Sequence, residues 1–223
     1  MAFKVIEIKK SVLDCNDRDA EALRQELKAK GVFLLNLMSS PGSGKTTTLM
    51  GTIPALVQRG WRVGVMEADI DSDVDAHTIS ATGARVIQLH TGGMCHLDAA
   101  MTRQGLEALG TDELDIVILE NVGNLVCPAE FDTGAAKNAM ILSVPEGDDK
   151  PLKYPLMFSV CHALLVNKID TLPVFDFDLA AVEQRAKQRN PQLEMFPVSA
   201  RTGEGMEAWV GWLDRQIRAW KEQ

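Results

Sequence analysis

Residues 32–48 read VFLLNLMSSPGSGKTTT. A short apolar run ends in a turn of serine, proline and glycine, then passes into Lys45 and three threonines. Small residues there let backbone N–H groups close round a polyphosphate. Lys45 can reach its terminal oxygens, and Thr46 can ligate Mg²⁺. A helix that follows adds the positive end of its dipole. The loop residues that line such a phosphate are Gly42, Ser43, Gly44, Lys45, Thr46 and Thr47. In the usual pattern GxxxxGK[ST] the first position is glycine, and here it is Ser39. Gly42 and Gly44 still keep the loop open for close backbone approach.

On either side of this loop, apolar strands alternate with helical stretches. The sequence predicts strands at 32–38, 62–66, 85–89, 115–119, 137–144, 162–166 and 195–198. Helices are expected at 16–30 (capped by Asn16 or Asp17), 45–58, 94–109, 177–189 and 205–221. Residues 3–12 read as a short strand or ordered arm, 75–82 as a short helical segment, and Pro54 as a kink or early break in its helix. Near-continuous apolar strands between helices predict an α/β fold, a mainly parallel sheet covered on both faces. The 223 residues, 46% of them hydrophobic, fit one domain (1–223) with residues 1–31 as an arm packed on it. The formal charge of −8 excludes a basic nucleic-acid footprint. No apolar run approaches the roughly 20 residues of a membrane span, and MAFKVIEIKK has no signal-peptide core. Four cysteines in such a chain fit reduced thiols in a cytoplasmic protein better than a disulfide framework.

In a sheet of this kind ligands collect at the carboxyl ends of the strands. The strand DIVIL ends in Glu120-Asn121-Val122-Gly123, where a nucleotide hydrolase keeps an acid that senses Mg²⁺ and a glycine facing the γ-phosphate. Another strand ends in Asn167-Lys168-Ile169-Asp170, a pattern suited to guanine. Asp170 accepts from the ring N–H and the exocyclic amine, Asn167 faces the oxygen side, and Lys168 packs over the ring. Ser199-Ala200-Arg201 can add a backbone N–H to the guanine oxygen. Adenine would leave these polar groups unpaired, so the expected nucleotide is GTP. The stretch 67–75, EADIDSDVD, reads as an acidic loop. Asp69, nearest the strand end, is the expected Mg²⁺ carboxylate alongside Thr46 and Glu120. Asp75 is the second candidate for orienting the attacking water.

Cys95 and His96 follow the turn Thr91-Gly92-Gly93, and Cys127 lies just beyond Glu120 and Gly123. Two thiolates and an imidazole suit Zn²⁺ or Ni²⁺, but three ligands do not close a tetrahedron. A two-fold partner could supply the rest, which predicts a metal shared between subunits. Spacing alone leaves two readings open: a metal site, or a small buried Cys127 with His96 as an ordinary loop residue. Cys15 and Cys161, and His77, His90 and His162, have no ligand-like company.

Four runs go further when taken together: SSPGSGKTT, TGGMCHLDA, ENVGNLVCP and GDDKPLKYP. They resemble the HypB family of hydrogenase nickel-incorporation proteins, GTPases of the same broad class as UreG. The resemblance runs over residues 32–212 and implies a P-loop NTPase of SIMIBI type. It also implies a GTP-promoted homodimer that delivers nickel during [NiFe]-hydrogenase maturation, working with a HypA-type chaperone and so, indirectly, on the hydrogenase large-subunit precursor. On the same ground Cys95, His96 and Cys127 become the metal ligands, and Lys153 becomes a residue reaching the partner's nucleotide. An amino-terminal Cys-rich or His-rich nickel motif, carried by many relatives, is missing here. His77 stands where an arginine is usual. A UreG-type chaperone for another metalloenzyme would carry a Cys-Pro-His run, which is absent. A small-molecule kinase would need an arginine-rich lid. A purely structural zinc dimer would bind metal irrespective of nucleotide. No arginine finger is identifiable, so slow intrinsic turnover is expected.

Overall fold

The computed structural model describes residues 8–69 and 79–222. Asp75 and His77 therefore lie outside the described residues. Seven strands form one parallel sheet: β1 (Phe33–Ser39), β2 (Val63–Asp69), β3 (Arg85–His90), β4 (Ile116–Glu120), β5 (Lys137–Ser143), β6 (Ala163–Asn167) and β7 (Glu194–Pro197). Their spatial order is β3-β2-β4-β1-β5-β6-β7, which puts β1 and its phosphate loop at the centre.

Alternation along the strands decides which helices cover which face. Phe33, Leu35 and Leu37 of β1, with Ile116 and Ile118 of β4, pack against Leu49, Ile53 and Leu56 of α2 (Lys45–Gln58) and against Trp209, Val210 and Leu213 of the carboxy-terminal helix (Met206–Glu222). Leu34, Val117 and Leu119 face the other way. They meet Leu23 and Leu27 of α1 (Ile8–Ala29), and Leu106 and Leu109 of α3 (Ala99–Leu109). On that second face β5 and β6 are covered by Met157 and Phe158 of a short helix (Pro155–Val160) and by Val182 and Ala186 of the helix Leu179–Arg189. The expected α/β architecture, a parallel sheet with helices on both faces, is what the chain adopts.

Several boundaries differ from the sequence expectations, each for a local reason. Residues 8–12 are not strand: α1 already begins at Ile8 and runs through Asn16, which is an interior, buried position rather than a cap. Strand β2 does not stop at Met66. It continues in register with β3 as far as Asp69, because Glu67 and Ala68 are buried in the sheet. Helix α3 starts at Ala99 rather than at 94, where the Asp98 carboxylate accepts the Met101 N–H as an N-cap. Helix α2 runs through Pro54 to Gln58 without breaking, held on the core by Leu49, Ile53 and Leu56. Short helical turns at Cys127–Glu130, Lys150–Lys153 and Ile169–Val174 carry no periodicity long enough to read from sequence.

Candidate nucleotide and metal site

The phosphate loop leaves β1 at Ser39 and enters α2 at Lys45. Gly42 (φ +73°) and Gly44 (φ +99°) hold the left-handed backbone that tightens it. A Cβ on Gly44 would sit 2.5 Å from the Asn167 side-chain nitrogen, so that position has no room for a side chain. Ser39 has an ordinary backbone conformation, which explains why serine is accommodated in place of the first glycine. Its buried hydroxyl accepts from Lys45 Nζ at 3.1 Å and donates to the Ser40 carbonyl at 2.8 Å. The Ser43 hydroxyl is buried with no protein partner, an unmet donor inside the turn. Thr46 is half-buried in the first turn of α2, and Thr47 is exposed.

A cavity of about 210 Å³ adjoins the loop, lined among others by Gly44, Thr47, Asn167, Lys168, Asp170 and Ala200. The sequence motifs for the phosphate and for the base thus meet in one place. Lys168 is the one non-glycine among the described residues with positive φ (+63°), a backbone cost that packing must hold in place. Its Nζ donates to the Gly42 carbonyl at 2.7 Å, laying the side chain across the loop. Ser199 Oγ donates to Asp170 Oδ1 at 2.7 Å and aims that carboxylate. Asn167 departs from expectation. Its amide is buried and occupied at both ends, donating to the Ser43 carbonyl (2.9 Å) and accepting from the Ala200 N–H (3.0 Å). It ties the phosphate loop to the turn after β7, and it engages the Ala200 N–H expected to face the guanine oxygen.

Glu120 ends β4, buried, in register with Leu37 of β1 and with Glu67 of β2. Glu67 was not singled out from sequence because it read as part of a loop. The strand places it beside Glu120, so two carboxylates share the carboxyl edge. A chain of amides secures the following turn to β1: Asn121 donates to Asn36 (3.0 Å), and Asn36 donates to Asn138 (3.2 Å). Gly123 lies directly against the phosphate loop; a Cβ there would meet Pro41 atoms at 3.1–3.3 Å. Asp69 closes β2 opposite His90.

Cys95, His96 and Cys127 come together. One ligand atom from each lies within 4.8 Å of the others, and all three side chains are half-buried. This is the one such cluster of three among the described residues. Two soft sulfurs and an imidazole form a donor set that fits Zn²⁺ or Ni²⁺, with room for further ligands. Hydrogen bonding to Cys95, then burial, pushes the Cys127 thiol above its ordinary pKa. Cys95 Sγ lies 3.9 Å from His96 Nδ1, and the His96 ring stacks on Phe131 at 3.9 Å between centroids. Asn124, one residue beyond Gly123, reaches the Cys95 carbonyl at 3.5 Å and accepts from the Val126 N–H at 2.8 Å. Phe131 had no signal in the sequence beyond its nearness to Cys127, and Asn124 lies within the ENVGNLVCP run but was given no role there. Lys153 is exposed, paired with Asp149 at 2.5 Å, and does not line the cavity of its own chain. Cys161 is buried, Cys15 exposed, and His162 accepts the Asn138 N–H, all consistent with ordinary packing.

Residues 33–197 match the CobW/HypB/UreG nucleotide-binding domain, a span that covers the sheet from β1 to β7. The chain is 48% identical over 213 residues to hydrogenase maturation factor HypB of Azotobacter vinelandii, covering 96% of this chain and 70% of that protein. The chain belongs to the HypB family. Accordingly it is a P-loop GTPase of the hydrogenase-maturation class. A crystal structure of HypB from Helicobacter pylori in complex with nickel superposes with a TM-score of 0.85 at 36% identity, covering 92% of this chain and 95% of that one. The signal recognition particle 54 kDa protein of Aeropyrum pernix K1, in complex with GDP, shares only the fold. Its TM-score is 0.57 at 17% identity, covering 97% of this chain and 57% of that one. No helix among the described residues is long and apolar enough to cross a membrane.

Proposed function

We propose that this HypB-family chain is a GTP-hydrolysing nickel metallochaperone in which nucleotide state gates the Cys/His site. The observation that carries the proposal is the short physical path between the two ends. Pro41 of the phosphate loop packs on Gly123, and the next residue, Asn124, touches the Cys95 loop and leads to Cys127. A γ-phosphate that moved Gly123 would therefore move metal ligands.

In this reading Gly42, Ser43, Gly44, Lys45, Thr46 and Thr47 cradle the phosphates, with the unmet Ser43 hydroxyl and the α2 amino terminus turned to the anion. Asp170, aimed by Ser199, reads guanine. Lys168 covers the ring, and Asn167 with Ala200 fixes the frame. Thr46, Asp69 and Glu120 would hold Mg²⁺, which when bound neutralises developing charge on the phosphates. Asp69 or Asp75 orients the attacking water, and Gly123 reports the γ-phosphate. Cys95, His96 and Cys127 bind Ni²⁺ or Zn²⁺ as cargo, sharing it with a second copy in a GTP-promoted homodimer, where Lys153 reaches the partner's nucleotide. The metal passes to or from a HypA-type chaperone and serves the hydrogenase large-subunit precursor indirectly. A single GTPase domain with an amino-terminal arm, working in the cytoplasm, suffices for this role.

The test is metal binding and oligomer mass for the apo, GDP-bound and GTP-analogue-bound protein, with Cys95→Ala and Cys127→Ala alongside. Nucleotide-dependent nickel stoichiometry that both substitutions abolish is the expected result. Metal binding indifferent to nucleotide and to both cysteines would leave a GTPase with no gated nickel site.

A further inference from the structure

The amino-terminal helix α1 reaches the surroundings of the Cys/His cluster through one buried side chain. Asn16 Oδ1 accepts the Ala99 N–H at 2.9 Å, three residues beyond His96. Its Nδ2 donates to the Asp132 carbonyl at 2.9 Å, one residue beyond Phe131. The same amide therefore joins the segment that carries His96 to the segment that carries the ring stacked on His96, with 17° between the ring planes. Asn16 is 8% exposed, so these bonds are shielded from water.

Other contacts hold α1 firmly against that second segment. Arg24 Nη2 donates to both Asp132 carboxylate oxygens (2.8 and 2.6 Å), and its Nε donates to the Ala135 carbonyl at 3.0 Å. Gly134 has no space for a Cβ, which would sit 2.9 Å from Leu23 and 3.0 Å from the Ala20 carbonyl. The helix is a fixed wall, and Asn16 is its projection toward the cluster. By contrast, the segment from Thr91 to Asp98 is irregular. Its described internal ties are the Thr91 hydroxyl to the Met94 carbonyl (2.7 Å), the Met94 N–H to the Thr91 carbonyl (3.3 Å) and the 3.9 Å contact of Cys95 Sγ with His96 Nδ1.

We infer that Asn16 is a positioning residue for the metal site, holding His96 and Phe131 in the stacked arrangement from which the imidazole ligates. This rests on the reading of Cys95, His96 and Cys127 as ligands. Partners that orient a ligand govern affinity without touching the metal, and their loss typically weakens binding by about 10- to 100-fold. The amino-terminal helix would then be part of the metal site's support, not merely a packing arm.

The experiment is competitive Ni²⁺ titration of the full chain, with the ligand-to-metal absorption spectrum recorded for each variant. Asn16→Ala is expected to weaken nickel by roughly 10-fold and to change the spectrum. In a His96→Ala background the same substitution should change nothing further, because the group it positions is gone. Phe131→Leu leaves both Asn16 bonds intact and should weaken nickel by the same route, with Phe131→Tyr restoring it. That pair keeps the test valid if Asn16→Ala fails to fold. Unchanged affinity in Asn16→Ala and Phe131→Leu would overturn the inference. So would an equal loss with and without His96, which is what a general loosening of the fold produces. Wild-type affinity in Cys95→Ala would instead overturn the ligand reading, and the positioning role with it.

Discussion

The two ends of this molecule that carry the proposed base-reading and metal residues, around Asp170 and around Cys95, are built differently. Around Asp170 the groups are locked to one another by short bonds: Asn167 to Ser43 and Ala200, Lys168 to Gly42, Ser199 to Asp170. The contacts of Cys95 itself are longer, 3.9 Å to His96 and 3.5 Å from Asn124 to its carbonyl, and the short bonds near it lie in the flanking segments. One end is a preformed frame, where little ordering cost remains to be met on binding. The other sits on irregular turns that can shift, which suits ligands that must both take up and release a metal.

The contrast can be broken most readily at its centre. Lys45→Ala removes the lysine of the loop proposed to cradle the phosphates and should lower GTP turnover by at least about 100-fold, measured as phosphate release. If the two ends are separate in kind, apo-state nickel affinity should hardly change in that variant. Cys127→Ala is the converse: nickel affinity should fall by more than about 10-fold in equilibrium titration, while GDP affinity stays near wild type. A large loss of GDP binding there would mean that the two ends are one unit. Asn167→Ala sharpens the idea of a frame. It leaves the half-buried Ala200 N–H without its side-chain partner and should reduce guanine nucleotide affinity without touching the metal.

The smallest effect belongs to the amino ends of the strands. There Arg62 and Lys221 hold the Asp115 carboxyl well below the usual carboxylate range, at 2.9 and 2.5 Å. A depressed folded-state pKa contributes stability that is fully present above the ordinary carboxylate value near 4, and that is lost as pH falls through the lower folded value. Asp115→Asn should therefore cost about 1–3 kcal/mol at neutral pH and flatten the acid limb of the unfolding profile. Neither nucleotide nor nickel binding should respond, since Asp115 lies at the opposite strand end from both sites.

How much was legible in the sequence follows from the same contrast. The phosphate loop, Glu120, Asn167-Lys168-Asp170 and Ser199 are contiguous motifs at strand ends, and apolar strand patterns place such ends without further information. The supporting residues were not legible. Asn16 looked like a helix cap because its partners, Ala99 and Asp132, are distant in sequence. Glu67 looked like a loop acid because acidic residues follow it, whereas burial beside Glu120 keeps it in β2. Phe131 shows its role only once the chain has brought it over His96. Asn167 carries the right motif, but the motif says nothing of its bonds to Ser43 and Ala200.

In the proposed mechanism the nucleotide end and the metal end exchange free energy through Pro41, Gly123 and Asn124. The most direct test measures GTP-analogue and GDP affinity with and without saturating Ni²⁺. Coupling requires nickel to change the ratio of the two affinities by at least about 5-fold, with exchange of GDP for the GTP analogue changing nickel affinity by the same factor. Identical nucleotide affinities with and without nickel would contradict the account.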